Sequence, residues 1–251
     1  MYHELRKRGT AVNAVRILVT RPEPDGERTA QKLRARGCDV LLGPVLRIRH
    51  LEQADLGAGP WDAVAMTSAS AAHAIERHSR RLELTRLPAL TVGRRTAEAA
   101  RTVGFTNIAS ADGNEQALAQ LIGDRVAGGK KILYLVGEDR AGDLAIAVAP
   151  HGVRVETVVV YRAVAAERLP DAASAALRAG EVNGVLHFSR RSAVIYLDCA
   201  RAAGVLDSAL RPFHYCLSKA VAEPLMTAGA SRVMVAQSPE ENALLDLVAP
   251  A

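Results

Sequence analysis

The sequence predicts an α/β fold in which parallel sheets are covered by helices on both faces, and three observations support this. Short apolar runs typical of buried strands alternate with amphipathic helical segments along the chain. The second half of the chain repeats the order of the first. With 49% hydrophobic and 24% charged residues, the 251-residue chain has the composition of a globular protein with a sizeable core.

The elements of the first half follow one another closely. A buried strand is predicted over residues 16–20 and ends where Arg21 begins a turn. A helical apolar pattern covers 26–36, and Gly37 ends it. The other predicted elements of this half are strands at 39–42, 63–66, 89–92 and 107–109 and helices at 70–77 and 96–103.

Internal duplication is indicated by three pairs of similar segments in the same order. Residues 131–155 resemble 16–40, residues 183–197 resemble 61–75, and residues 214–236 resemble 89–110. The simplest division is into two contiguous halves near residue 127. Residues 44–48 and 158–162 favour another division, because each directly follows a strand and is suited to a long strand that leaves one domain for the other.

Composition excludes several classes of function. Aromatic residues make up only 4% of the chain, which argues against a stacking platform for single-stranded nucleic acid. The three cysteines are far apart, and the seven histidines show no HxxxH or HxH spacing, so we expect no metal site. Neither GxGxxG nor GxxxxGK[ST] occurs, so nucleotide binding through those loops has no support.

The net charge of +5 suits an anionic partner. No apolar run approaches the roughly 20 residues of a membrane span, and the basic N-terminal segment lacks the apolar core of a signal peptide. We therefore expect a cytoplasmic protein without a membrane partner. Residues 1–15 are interpreted as a disordered leader or an alternative start.

Taken in order, several short motifs resemble the uroporphyrinogen-III synthases over residues 16–248. None of these motifs is specific by itself, but their order and spacing are. They are Thr20-Arg21-Pro22, Thr67-Ser68, Val92-Gly93-x-x-Thr96-Ala97, Gly137-Glu138, Val160-Tyr161-Arg162 and Phe188-Ser189.

The resemblance implies two small doubly wound, flavodoxin-like parallel-sheet domains joined by two antiparallel linker strands. Domain one would comprise residues 1–43 and 166–251, domain two residues 52–154, and the linker strands residues 44–51 and 155–165. The substrate would be hydroxymethylbilane, a linear tetrapyrrole with eight carboxylates, lying in a cleft between the domains. No cofactor is implied. The expected state is a monomer, with possible transient contact to the upstream hydroxymethylbilane synthase.

Cations follow five predicted strands where a helix is about to begin. Helix N-termini ordinarily favour acidic side chains, by about 0.3–1 kcal/mol each, so cations at these positions suggest an anionic ligand. Exposure of long basic side chains to solvent is the alternative interpretation. The cations are Arg21, Arg94 with Arg95, Arg140, Arg190 with Arg191, and Lys219.

Hydroxyl groups at strand ends are further candidates for substrate binding. Thr67, Ser68 and Ser189 precede helices, where capping of the helix N-terminus is the alternative role. The resemblance adds Gly93 and Thr96, and for Thr96 a place in the first helical turn is an equal alternative.

Tyr161 is the predicted catalytic residue. A phenol stays protonated at neutral pH and can donate a hydrogen bond or a proton to a leaving hydroxyl group. The resemblance places a tyrosine here that faces the substrate. Bracing of a linker strand is the alternative role.

The second copy departs from the family pattern. Ser218-Lys219-Ala220-Val221 stands where a turn with a substrate-facing threonine is common, so Ser218 or Lys219 would supply the polar group. This departure keeps open a synthase-like paralogue that binds a tetrapyrrole or another polyanion without turnover. A third hypothesis, an unrelated α/β module that binds nucleic acid through its basic surface, is disfavoured by the scattered charge.

Overall fold

The computed structural model describes residues 14–126, 128–140 and 144–249, and the chain divides into two compact units. Unit one comprises Met1–Arg47 and Val164–Ala251, and unit two comprises Ile48–Ala163. Unit one therefore combines the two ends of the chain. Residues 1–13, most of the predicted leader, lie outside the described residues.

The described residues form eleven strands, and the predicted strands at 39–42 and 63–66 are confirmed to the residue. The strands are β1 (Arg16–Val19), β2 (Asp39–Leu42), β3 (Leu46–His50), β4 (Ala63–Met66), β5 (Ala89–Thr91), β6 (Ile108–Ser110), β7 (Lys131–Gly137), β8 (Arg154–Ala165), β9 (Gly184–His187), β10 (Phe213–Cys216) and β11 (Val233–Val235).

Eleven α-helices lie between the strands within the described ranges, and none of them is long and apolar enough to cross a bilayer. They are α1 (Asp25–Ala35), α2 (Ala69–Ala74), α3 (Arg81–Leu84), α4 (Arg94–Val103), α5 (Glu115–Arg125), α6 (Leu144–Val148), α7 (Asp171–Arg178), α8 (Arg190–Ala202), α9 (Leu206–Leu210), α10 (Lys219–Thr227) and α11 (Glu241–Val248).

Glycine ends two helices as predicted. Gly37 after α1 and Gly104 after α4 have φ values of 82° and 118°, in the left-handed region that a residue without Cβ adopts most easily. The predicted start of α4 at Thr96 is wrong by two residues. The helix begins at Arg94, directly after the extended Gly93, so that both arginines of the pair lie in its first turn.

Unit one contains a five-stranded parallel sheet, here called sheet A, with strand order β11-β10-β9-β1-β2. Alternate residues of the strands point to opposite faces. Leu18 and Val185 pack on one face against α7, α8 and α10, whereas Ile17 and Leu186 pack on the other face with α11. The predicted sheet covered on both faces is confirmed for this unit.

Unit two contains sheet B, with strand order β3-β8-β7-β4-β5-β6. All its pairs are parallel except that of β3 with β8, which is antiparallel. Val64 and Leu133 face one apolar cluster with α2 and α4, and Ala65 and Tyr134 face another with α5 and α6. The fold class is therefore confirmed as α/β with two parallel-sheet domains.

The internal duplication is visible in the order of the strands. The sequence repeat relates β1, β2, β9, β10 and β11 to β7, β8, β4, β5 and β6, and related strands occupy the same positions in the two sheets. Each unit combines the first part of one copy with the second part of the other. The duplicated copies have thus exchanged strands between the units.

A pair of buried histidines lies in the core of unit one. His187 of β9 and His214 of β10 are both fully buried, and a hydrogen bond of 3.1 Å joins His187 Nε2 and His214 Nδ1. The ring of Tyr196 packs edge-on against His187 at 5.1 Å. Burial lowers the pKa of His214 to about 4, although the carbonyls of Ala209 and Leu210 oppose this shift. Burial and the neighbouring His214 lower the pKa of His187 as well.

These pKa shifts predict that acid destabilises unit one. Below about pH 6.5 the unfolded chain binds protons that the buried rings do not, so the free energy of unfolding falls as the pH approaches 4. The shift of His214 alone corresponds to about 3 kcal/mol. Urea unfolding followed by circular dichroism between pH 7.5 and 4.5 measures this, and His187→Leu/His214→Leu should flatten the slope. His73→Gln, at a partly exposed position, is the control. An unchanged slope in the double variant would contradict the assignment.

Candidate functional site

The carboxyl ends of sheet B bring six of the predicted site residues to one edge, here called the carboxyl edge of sheet B. From β4 the chain continues to β5 and β6 on one side of the sheet, and it then returns to β7 and β8 on the other side of β4. The strand order therefore switches direction between β4 and β7. Ligands of open α/β sheets bind at such switch points. Tyr161 is paired directly with Gly137 at the end of β7. Ser68 and Gly93 lie at the same level, because each is two residues beyond the last paired residue of its strand.

Thr67 and Ser68 have different roles at this edge. Thr67 Oγ1 lies 3.2 Å from the hydroxyl of Tyr134, a buried residue of β7. Ser68 caps α2, because its hydroxyl oxygen accepts a hydrogen bond of 3.1 Å from the Ser70 amide. The capping alternative therefore holds for Ser68, whereas the hydroxyl of Thr67 contacts a side chain of the neighbouring strand.

The segment after β5 presents an exposed cation beside open space. Gly93 is extended, and among the described residues no atom beyond its chain neighbours lies within 4 Å of the position that a Cβ would occupy. Arg94 is 86% exposed and lies 3.7 Å from Asp112, which is too long for a close ion pair. Thr96 is buried in the first turn of α4, where its amide donates to the Gly93 carbonyl at 3.0 Å.

Tyr161 lies on β8, beside the end of β7. It is partly buried, and its ring lies against Gly137. Within the described part of the chain, the Tyr161 hydroxyl has no hydrogen-bond partner. With strands about 4.8 Å apart, the edge from Tyr161 to Gly93 spans three strand spacings, or about 14 Å.

In unit one, Arg21 follows β1 but is not a free cation. Its guanidinium lies 2.9 Å from Asp25 and 3.2 Å from Glu241, and 4.3 Å above the ring of Phe188. Burial alone would raise the pKa of Glu241, but hydrogen bonds from Lys32 and Thr29 together lower it. Arg21 therefore ties the first strand to α1 and α11, and its charge is balanced inside the unit.

Ser189 and Arg190 begin α8 beyond the end of β9. The hydroxyl oxygen of Ser189 accepts from the Ser192 amide at 3.1 Å and lies 2.7 Å from the Ser192 hydroxyl, so it caps the helix. Arg190 is 60% exposed, with a weak contact of 3.5 Å to Glu223. The cation is therefore accessible, while the serine is engaged in capping.

Ser218 lies level with Ser189, because each is two residues beyond the pair formed by Cys216 of β10 and His187 of β9. Lys219 is the next residue along the chain. Ser218 precedes α10 without making a capping hydrogen bond. Lys219 is exposed and, among the described residues, has neither an ion-pair nor a hydrogen-bond partner. This pair is therefore accessible to a ligand at the carboxyl edge of sheet A, which we define as the ends of β1, β9 and β10.

Each edge thus carries exposed cations and hydroxyl groups suited to carboxylates, and the edge of sheet B adds a phenol. Among the described residues, no group of three or more histidine, cysteine or acidic side chains is placed to hold a metal ion. The side chain of Arg140 lies outside the described part of the structure. Sequence reasoning missed Tyr134 as the partner of Thr67, since a tyrosine within an apolar strand looks like an ordinary core residue.

Comparison with known proteins gives a family match over most of the chain. A protein-family model described as uroporphyrinogen-III synthase HemD matches residues 27–246. No curated protein sequence matches this chain.

Solved structures match over nearly the full length at low identity. Uroporphyrinogen-III synthetase from Helicobacter pylori 26695 is 17% identical, with 93% of this chain and 98% of that chain covered and a TM-score of 0.59. Native uroporphyrinogen III synthase from the extremely thermophilic bacterium Thermus thermophilus is 19% identical, with 94% and 96% covered and a TM-score of 0.42. The first of these structures shows that the fold is shared.

The ion pairs predict that Arg21 contributes to stability. Arg21→Met should lower the free energy of unfolding by about 1–2 kcal/mol, because Asp25 and Glu241 each lose one cationic partner and keep Arg28 and Lys32, respectively. Arg190→Met, at an exposed position with a long contact, should change it by less than about 0.5 kcal/mol. Urea unfolding of both variants measures the difference, and equal effects would contradict this assignment.

Proposed function

Because this chain belongs to the uroporphyrinogen-III synthase HemD family, we propose that it is an active uroporphyrinogen-III synthase, a hydro-lyase that closes hydroxymethylbilane into the ring with inversion of the last pyrrole. The observation that carries the proposal beyond family membership is the Tyr161 phenol, whose hydroxyl has no hydrogen-bond partner among the described residues and which lies at the carboxyl edge of sheet B, on the strand next to the switch point. We place the reaction in the cytoplasm, acting on the free tetrapyrrole without a cofactor.

The substrate's eight carboxylates require cations that are not already neutralised. Arg94, Arg190 and Lys219 meet this requirement, because each is exposed and none has a close carboxylate partner among the described residues. A charge-assisted hydrogen bond from such a cation is stronger than a neutral one. These three side chains are the proposed carboxylate-binding cations, whereas Arg21 supports the fold.

Helix N-termini at the two edges add backbone donors to these cations. The helices that begin at Arg94, Arg190 and Lys219 direct their first amide groups toward the same edges as the cations. The open space beside Gly93 leaves room for a ligand group to approach the amides of α4 closely. Binding a flexible polyanion in one folded conformation is the main task, since positioning can supply a large part of the barrier reduction.

Tyr161 is the proposed acid in the chemical step. The phenol donates its proton to the substrate's hydroxyl group, the carbon–oxygen bond breaks, and water leaves. The substituted α-carbon of the last ring attacks the resulting electron-deficient methylene to give a spiro intermediate. The bond from that carbon to the methylene bridge of the third ring then breaks, and the bridge bonds to the other α-carbon of the last ring, which inverts the ring. This second α-carbon loses its hydrogen as a proton when the last ring regains its aromaticity, and the proton returns to the phenolate, so atoms and charge balance.

The proposal is tested by ring closure of freshly generated hydroxymethylbilane, with the isomers separated after oxidation to the porphyrin. Hydroxymethylbilane closes by itself to the symmetric type I isomer, so the account predicts a dominant type III product that scales with enzyme concentration. Type I alone, from protein shown by circular dichroism to be folded, would contradict it. Polyanion binding without turnover would then favour the inactive synthase-like paralogue.

Lys219 is predicted to contribute to substrate affinity. Lys219→Gln should raise KM about threefold to tenfold and leave kcat and the midpoint of thermal unfolding unchanged, because the side chain has no partner in the described part of the chain. Arg201→Gln is the matched control, since it removes a cation at the far end of α8 that pairs with Asp198 at 2.7 Å. Equal KM values for both variants would remove Lys219 from the binding groups.

A further inference from the structure

The pairing of β7 with β8 contains a bulge directly before Tyr161. The parallel register runs regularly from Lys131 and Arg154 to Val136 and Val159, and Gly137 is then paired with Tyr161. Val160 is therefore an extra residue in β8. Bulges of this kind change the direction in which the following side chain points.

The bulge determines the face on which the phenol lies. Val159 packs with the apolar cluster beneath α5 and α6, whereas Val158 and Val160 pack with the cluster beneath α2 and α4. Strict alternation along β8 would place Tyr161 on the face of Val159. Tyr161 instead packs with the cluster of Val158 and Val160, so the extra residue has moved the ring to the opposite face.

Gly137 provides the space that the ring occupies there. A Cβ at Gly137 would lie 2.6 Å from Cζ, 2.7 Å from Cε2 and 2.8 Å from Oη of Tyr161, closer than Cβ atoms approach other heavy atoms. The φ of Gly137 is not positive, so its backbone conformation is open to any residue. The glycine is therefore required by the ring and not by the backbone.

We propose that Gly137 is a positioning residue for the Tyr161 phenol, and that the bulge at Val160 together with the missing side chain at Gly137 holds the ring at the carboxyl edge of sheet B. The catalytic part of this inference rests on the proposed synthase function. Even one methyl group at residue 137 would displace the ring, while the backbone of β7 would accept it. The hydroxyl would then move away from its position beside Gly137, at the end of β7.

Gly137→Ala separates positioning from folding. The first readout is the NMR signal of tyrosine rings carrying ¹³C at Cε, in which Tyr161 is assigned by its loss in Tyr161→Phe. We expect the Tyr161 signal to shift in Gly137→Ala and that of Tyr196, in the other unit, to stay in place. An unchanged Tyr161 signal would overturn the inference whatever the protein's activity.

The second readout is kcat for formation of the type III isomer. We expect Gly137→Ala to lower kcat about tenfold or more and to change KM by no more than about twofold, as for loss of a general acid. We expect the double variant Gly137→Ala/Tyr161→Phe to be no slower than Tyr161→Phe alone, because both substitutions act on the same phenol. A shifted ring signal with unchanged kcat would overturn the positioning role. If the wild-type protein forms type I only, the proposed function and the positioning role both fail. The NMR signal of the ring still tests whether Gly137 determines the position of Tyr161.

Gly184→Ala is the matched control. Its Cβ would meet another tyrosine ring, at 2.5 Å from Cε2 of Tyr215, but at the opposite, amino end of a strand in sheet A. We expect it to lower stability and leave kcat unchanged. If Gly137→Ala does not fold, the additional substitution Tyr161→Ala should restore folding, because it removes the clash. Failure of that rescue would contradict the packing of the Tyr161 ring against Gly137.

Discussion

Parallel pairing is the constraint on which the rest of this structure depends. Every strand pair in sheets A and B except that of β3 with β8 is parallel, so each sheet must be buried on both faces and must direct its carboxyl ends to a single edge. The first consequence explains the apolar strands and the helices on both faces. The second brings side chains that are far apart in sequence, such as Thr67 after β4 and Tyr161 on β8, to the two sides of the end of β7.

The two copies of the duplicated sequence form two parallel sheets, and each sheet contains strands from both copies. Related strands occupy the same positions in the two sheets. The two edges have nevertheless diverged. The edge of sheet A presents Lys219 and Arg190, while the edge of sheet B presents Arg94 and a phenol held in a glycine cradle. The duplication therefore explains the shared order of the strands, and the sequence differences between the copies place the proposed acid, Tyr161, at the edge of sheet B.

Much of the fold was predictable because its strands are short apolar runs between clear turn signals, as the agreement for the partly buried β2 and the buried β4 shows. The start of α4 was misjudged because periodicity begins at its first apolar residue, whereas the helix begins after the extended Gly93. The role of Arg21 depends on Glu241, which lies 220 residues away, so no local pattern indicates that its charge is balanced. The bulge at Val160 changes the face of Tyr161 without any distinctive residue, so the sequence alone predicts a role for the tyrosine but does not indicate that its ring packs against Gly137.

The proposed function requires that the carboxylates of a tetrapyrrole bind at the carboxyl edges of sheets A and B. Amide NMR signals recorded during titration with uroporphyrin III, a stable octacarboxylate, test it most directly. The account predicts perturbations at residues 67–68, 93–96, 189–191 and 218–219 that weaken as salt is added. Perturbations confined to the amino ends of the strands, around Asp39 and Glu181, would contradict it, as would the absence of any change.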